Sequence, residues 1–444
     1  MSLEFELELG IGVLALVVAA YGLVARALSR RSVSAAFAFT AIGAMLGGTG
    51  LGMVVDVLPG MSVLSLVAEV TLALVLFTAA STIDIRNLEQ DSGPVVRLLA
   101  IGLPLTIVAG TLLALGFYPG ISFGLALLIG TILAPTDADL GQQVITDESV
   151  PARIRRILSI ESGLNDGIAA PVVTVAIALA TVGTLEGTEP VLDAIGELAL
   201  AGLVGSGIGL AGGWLLIRSR AAGVSSGGSR RLTVLALAIG AYVIASALEG
   251  SGFIAAFCAG LGFGRASHHS AEESIVFAET QSVLLSIVVW LIFGLVVMGG
   301  EIVDSLDPMI ILYALLSLTL LRMIPVAISL LGQHFDRVTV AFVGWFGPRG
   351  LASIVFVLLS LEVLESAGVD SYPLGPVVGW TIFISVILHG FSARPLARWY
   401  GRYATRLDDG SPESIGDHEP RRKGTMWAIH THQVPKPGST EPPR

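Results

Sequence analysis

Apolar residues come in runs of about twenty, each closed by a short polar segment, and the pattern repeats to about residue 400. A run of that length spans the bilayer's hydrocarbon core as a helix. Thirteen spans are predicted, near 8–28, 34–54, 61–82, 95–117, 120–146, 153–182, 194–217, 231–248, 251–265, 276–299, 308–333, 338–361 and 374–398. The fold class that follows is an all-α polytopic membrane protein.

Two of these spans are interrupted. Span five contains Ala134-Pro135-Thr136-Asp137, and span twelve contains Gly347-Pro348-Arg349-Gly350. Proline removes a backbone donor and glycine weakens the helix around it. Non-helical backbone at membrane depth survives only where protein or water covers it. The two spans are seven apart, so they run in opposite directions. Paired interrupted spans in corresponding places point to a midplane binding site and to two inverted repeats, spans 1–6 against 8–13.

The polar segments fix an orientation. Arg26, Arg30, Arg31, Arg86, Arg153, Arg155, Arg156, Arg218, Arg220, Arg230, Arg231, Arg265, Arg337, Arg394, Arg398 and Arg402 fall in one alternate set of connections. The other set has no Lys or Arg and carries acids such as Asp56, Glu186, Glu301 and Glu362. The positive-inside rule then places the amino terminus outside and the carboxyl terminus in the cytoplasm. An odd number of spans is required, in keeping with thirteen. The acidic start, MSLEFELELG, is a poor signal peptide and reads as part of a retained first helix. Localisation in the plasma membrane is expected.

Composition agrees: 53% of the 444 residues are hydrophobic, 14% are charged, and 53 are glycine. A net charge of −10 offers nothing to nucleic acid. One cysteine, Cys258, excludes an internal disulfide and a cysteine-cluster metal site. Residues 1–402 form the membrane domain. From 403 to 444 the composition turns polar and Pro-rich, so a disordered cytoplasmic tail is expected, with His418, His430 and His432 as solvated side chains.

The candidate chemistry lies where carboxylates enter the membrane. Asp137, Glu161 and Asp166 sit in or beside apolar runs, with Thr136, Ser162 and Asn165 nearby. Burying such charges costs several kcal/mol, and their default reading is an ion or proton site. Helix ends carry partial charges, so an Asp in one break and an Arg in the other can each offset an unsatisfied end. Arg349 also needs neutralising at depth, and the acids available are Glu161, Asp137 and Asp166; one helix face can hold a Glu161–Arg349 pair while the other presents Ser162 and Asp166 to a cavity. Glu161 and Asn165 share one helix face, Ser162 and Asp166 another. Hydroxyl and carboxylate oxygens suit a hard cation. If one carboxylate binds either a cation or a proton, exchange of the two follows. Desolvation would raise the aspartate's proton affinity toward working pH.

TILAPTDADL, SIESGLNDGIAAPVV and FGPRGLASIV, in this order and spacing, resemble the NhaP-type, electroneutral branch of the monovalent cation:proton antiporters. LVLFTAASTIDIRNL resembles a further family segment. The resemblance implies an NhaA-like fold. Its core would be spans 4–6 and 11–13 (about 95–182 and 308–398), with the other spans forming a dimerisation panel. It implies that Asp166 binds cation and proton, that Thr136, Asp137 and Ser162 complete the monovalent-cation site, and that Glu161 and Arg349 form an ion pair. Asn165 stands where the electrogenic branch has a second Asp, which implies one-for-one exchange. Na⁺, Li⁺ or K⁺ and H⁺ are the implied substrates, with no cofactor and a homodimer in the bilayer.

The sequence departs from the family at Ala138, where a proline is usual, and at Thr78, where many relatives have an acid. Asp139 is a possible accessory at a cytoplasmic entrance, and Arg322, in the middle of span eleven, a structural charge of the core. Glu69 is read as facing the bundle interior, His389 as a satisfied core histidine and Glu279 as a rim charge. Two other classes compete. A cation channel or K⁺ efflux pathway would run without proton coupling. An intramembrane hydrolase would want a GxSG motif and a histidine near Ser162, and neither is found.

Overall fold

The computed structural model describes residues 3–30, 33–46, 61–83, 92–137, 140–182, 189–267, 271–297, 306–408 and 411–414. These are helical, with no strand among the described residues. In chain order the helices are α1 (Leu3–Arg30), α2 (Ala35–Leu46), α3 (Met61–Ser81), α4 (Ser92–Phe117), α5 (Phe123–Ile132), α6 (Gln142–Ile145), α7 (Ala152–Val182) and α8 (Glu189–Ala221). They continue as α9 (Gly227–Ala247), α10 (Gly252–Ser267), α11 (Glu272–Val297), α12 (Pro308–Leu318), α13 (Leu320–Ser329), α14 (Arg337–Trp345), α15 (Leu351–Ser366) and α16 (Leu374–Ala404). Seven stretches among the described residues are long and apolar enough to cross a bilayer, and five shorter apolar helices accompany them.

Both expected interruptions are present. Helix α5 stops at Ile132, and no regular helix resumes until the short α6. Helix α14 stops at Trp345, and α15 begins at Leu351. Span eleven is divided as well, at Thr319, and Pro325 lies inside α13. Helix starts follow local chemistry. Ser122, Ser226, Asp307 and Asp336 each accept a backbone N–H of the first turn of the helix that follows, offsetting its orphan donors.

The helices pack in two sets. Helix α5 lies against α4 and α7, and α12–α13 lie against α4, α14 and α16. In the other set, α10 lies against α3, α8 and α9, while α11 packs on α2 and α3. The sets meet where α3 and α10 touch α7 and α15. Glycines set the closest approaches. Gly205 and Gly209 of α8 bring its backbone against that of α10 at Ala255 and Ala259, and Gly260 of α10 rests on the Phe77 carbonyl of α3.

The tail does not begin where disorder was expected. Helix α16 runs past 402 to Ala404, and Pro412–Ser414 form a single 3₁₀ turn packed on the bundle. Glu413 there is only 2% exposed and accepts the Asp336 N–H at 2.8 Å. Arg153, at the start of α7, donates to the Pro412 carbonyl and lies over the Phe335 ring. The tail histidines lie outside the described residues.

Candidate functional site

The two interrupted spans meet at their breaks. The Asp137 N–H donates to the Pro348 carbonyl at 2.8 Å. The Asp137 carboxylate accepts from Leu351 N–H at 2.7 Å through Oδ2 and from Leu140 N–H at 3.1 Å through Oδ1. It therefore caps the amino end of α15, where partial positive charge collects. Gly350 makes room for it, because a β-carbon there would collide with that carboxylate.

The opposite end is satisfied in reverse. Arg349 reaches the carbonyls just beyond α5, donating to Ala134 at 3.0 Å and Pro135 at 3.2 Å, with a longer contact to Ser317 O at 3.5 Å. Ser353 Oγ takes the Ile132 carbonyl at 2.7 Å. Last-turn carbonyls of a helix lack intrahelical partners, and here the facing broken span supplies them. The expectation that an Asp and an Arg offset the two helix ends is what the geometry displays.

One expected contact is not made. Glu161 pairs with Arg322 of α13, at 2.7 Å and 2.8 Å through its two oxygens, rather than with Arg349. Both partners are buried, at 2% and 1% exposure. The reason is positional. The interruption at Thr319 sets Arg322 at the start of α13, and its side chain passes over Gly347, where a β-carbon would come within 2.6 Å of Nε. Arg349, drawn to the carbonyls of α5, has no need of a carboxylate of its own. Arg322, expected as a structural charge of the core, is thus the direct partner.

The polar residues of α7 converge on Thr136. Its hydroxyl lies 2.9 Å from Ser162 Oγ and accepts from Asn165 Nδ2 at 2.7 Å. All three are almost wholly buried, and Asn165 Oδ1 has no hydrogen-bond partner among the described residues. Asp166 follows on the same helix and is half-buried, with Oδ1 shielded from solvent. Thr136, Asp137, Ser162 and Asn165 therefore surround one crossing, offering hydroxyl, amide and carboxylate oxygens, and Asp166 lies one turn along α7 from Ser162. Asp139 lies outside the described residues.

Several positions carry no share of this cluster. Glu69 accepts from Tyr242 OH at 2.6 Å, and the Thr78 hydroxyl turns back to Leu74 O in its own helix. Glu279 is half-buried on α11. His389 is a satisfied core histidine. Arg349 N–H donates to Ser385 Oγ at 2.7 Å, and Ser385 Oγ lies 3.1 Å from His389 Nδ1. His389 Nε2 reaches the Trp345 carbonyl at 3.0 Å. Nδ1 also lies 3.1 Å from the Ser385 carbonyl. The neutral ring protonated on Nε2 donates to Trp345 O and accepts from Ser385 Oγ at Nδ1, and leaves that carbonyl to the helix's own backbone. Helix α16 thereby braces the break between α14 and α15. Ser385 and Ser353 hold the two breaks and were passed over by sequence reasoning; the i,i+4 spacing of Ser385 and His389 is the one available signal.

Residues 12–399 match the family model described as "Sodium/hydrogen exchanger, transmembrane". The chain belongs to the sodium/hydrogen exchanger family. Among curated exchanger relatives, it is 27% identical over 365 residues to the K(+)/H(+) antiporter NhaP of Alkalimonas amylolytica, covering 81% of this chain and 61% of that protein. It is 30% identical over 315 residues to the Na(+)/H(+) antiporter ApNhaP of Aphanothece halophytica, covering 66% and 57%. The chain thus spans about three fifths of the length of the curated relatives it matches. Its fold is similar to that of the sodium proton antiporter MjNhaP1 from Methanocaldococcus jannaschii, with a TM-score of 0.69 at 21% identity over 88% of this chain and all of that one. The NhaP-type resemblance read in the three motifs agrees with these relatives.

Proposed function

We propose that this chain is a secondary transporter that exchanges one monovalent cation for one proton by alternating access. Asp166 binds either ion, and Thr136, Ser162 and Asp137 supply further oxygens. The relatives named as K(+)/H(+) and Na(+)/H(+) antiporters support this substrate class.

The observation that carries the reading is the charge balance at the crossing. Arg322 and Arg349 contribute two buried positive charges, against three carboxylates at Glu161, Asp137 and Asp166. One negative charge is left over. Either one cation or one proton restores neutrality, so the loaded site carries the same charge in both directions. A second Asp in place of Asn165 would leave two negative charges, which neither one cation nor one proton neutralises. Moving an uncompensated charge through the membrane interior is costly, and a site neutral in both loaded states avoids it.

In this reading the chain crosses the membrane thirteen times as two inverted repeats, with the amino terminus outside and the carboxyl terminus in the cytoplasm. The core is formed by α4–α7 and α12–α16, and the remaining helices form the panel against which it moves and through which two copies pair in the plasma membrane. The paired interrupted spans favour alternating access over a channel.

The test is proton flux in proteoliposomes with a trapped pH dye, adding Na⁺, Li⁺ or K⁺ in turn, with the voltage free or clamped. One-for-one exchange gives cation-dependent dye recovery that is the same in both conditions. Recovery that depends on voltage would overturn the stoichiometry. Cation flux without proton movement would favour the channel.

A further inference from the structure

Helix α10 is gripped from two sides. Gly205 and Gly209 of α8 seat its backbone directly against Ala255 and Ala259, and Gly260 and Gly264 of α10 itself rest on the Phe77 and Ser81 carbonyls of α3. Where backbones touch with no side chain between them, the packing has no slack to absorb a shift. α10 therefore moves with the panel.

Its remaining side carries Phe253 and Phe257, one turn apart, where α10 adjoins α7 and α15. Phe253 meets Phe356 of α15 edge-on, with ring centroids 5.9 Å apart, and Tyr242 of α9 backs it at 5.3 Å. Phe257 seats on Gly167 of α7, where a β-carbon would fall 2.7 Å from the ring. Gly167 is the residue after Asp166. The ring needs that glycine to sit so close.

Exposure along the Asp166 face of α7 is graded. Ser159 is exposed, Gly163 and Asp166 are half-buried, and Ala170 and Val173 are buried, each at 2%. These positions follow one another by three or four residues and share one face. Since α7 begins at its cytoplasmic end in the orientation proposed above, this face is accessible toward the cytoplasm and buried beyond Asp166. The two phenylalanines lie on the buried side.

We propose that Phe257, seated on Gly167 and backed by the Phe253–Phe356 pair, is the gate that closes the Asp166 site toward the outside. Its release from Gly167, as α7 slides past the fixed α10, is the step that opens that side. This rests on the transport reading and adds the residue that enforces its sidedness. Phe257 touches no ion. It decides which compartment Asp166 can reach, and so keeps the exchange coupled.

The experiment measures decay of an imposed pH gradient in proteoliposomes, with no exchangeable cation present, for wild type, F257A, G167A and the double variant. Wild type is expected to hold the gradient. F257A and G167A are each expected to dissipate it several-fold faster, and the double variant no faster than the worse single one, because both act through one contact. F257L, closer in volume, carries the same measurement should F257A not fold. Exchange by wild type with tight, fully coupled single variants would overturn the gate alone, as would leaks that add independently. A wild type without cation-dependent proton flux would defeat the transport reading, and the gate with it.

Discussion

Glu161 Oε1 and a terminal guanidinium nitrogen of Arg322 lie 2.7 Å apart, with both side chains sealed from solvent. The pair ties α7, which carries Ser162 and Asp166, to α13, while Arg349 is left to hold the carbonyl end of α5. Two buried arginines thus have different tasks: one is neutralised by a full charge, the other by backbone dipoles.

Removing one partner of the pair leaves the other buried and uncompensated, at a cost of about 3–5 kcal/mol. Glu161→Ala and Arg322→Ala are both expected to lower thermal stability in detergent strongly. Replacing the two together by methionines should recover most of the loss. A double variant no better than the single ones would contradict the pairing.

Gly347 and Gly350 are required by neighbours, not by backbone angles. Gly350→Ala should displace the Asp137 carboxylate from Leu351 N–H, and Gly347→Ala should push Arg322 off its path. Overpacking of this kind costs about 1–3 kcal/mol, and cation-dependent proton flux should fall in both. Gly390, with nothing within 4 Å of its would-be β-carbon, is the control. Gly390→Ala should behave as wild type.

His389 braces the break through Trp345 O and Ser385, and the neutral ring suffices. Leaving these buried groups unmade costs about 1–3 kcal/mol each. His389→Ala should therefore lower stability without moving the midpoint of the pH profile of transport. A shifted midpoint would make His389 a sensor.

At the start of α14, Asp336 accepts from Tyr403 OH at 2.6 Å and from Val338 N–H at 3.2 Å. The Tyr403 bond first, then those from the helix start, hold its carboxyl below the usual carboxylate range. A depressed pKa contributes stability that is present above the unfolded value, about 3.9, and lost as pH falls through the folded value. Asp336→Asn should therefore melt below wild type at neutral pH, and the gap should close in acid. A gap independent of pH would contradict this.

The sequence exposes the breaks because Pro135 and Gly347-Pro348-Arg349-Gly350 interrupt apolar runs, and it exposes the candidate site because Asp137, Glu161 and Asp166 stand where charge is costly. It does not reveal which arginine meets Glu161. Arg322 and Arg349 both sit at depth, and the choice turns on the interruption at Thr319, which carries no glycine, and on the carbonyls of α5. Nor does it reveal the docking of Glu413. That residue lies in a polar, Pro-rich stretch, and it docks where Arg153 meets the neighbours Phe335 and Asp336, segments far apart in the chain. The closeness of Phe257 to Gly167 is hidden for the same reason.

The most direct measurement compares wild type with Asp166→Asn in sealed proteoliposomes carrying a trapped pH dye. The account requires cation-dependent dye recovery in wild type and none in the variant, with both proteins equally stable in detergent. Full recovery in Asp166→Asn would mean that cation and proton meet elsewhere, and would contradict the site.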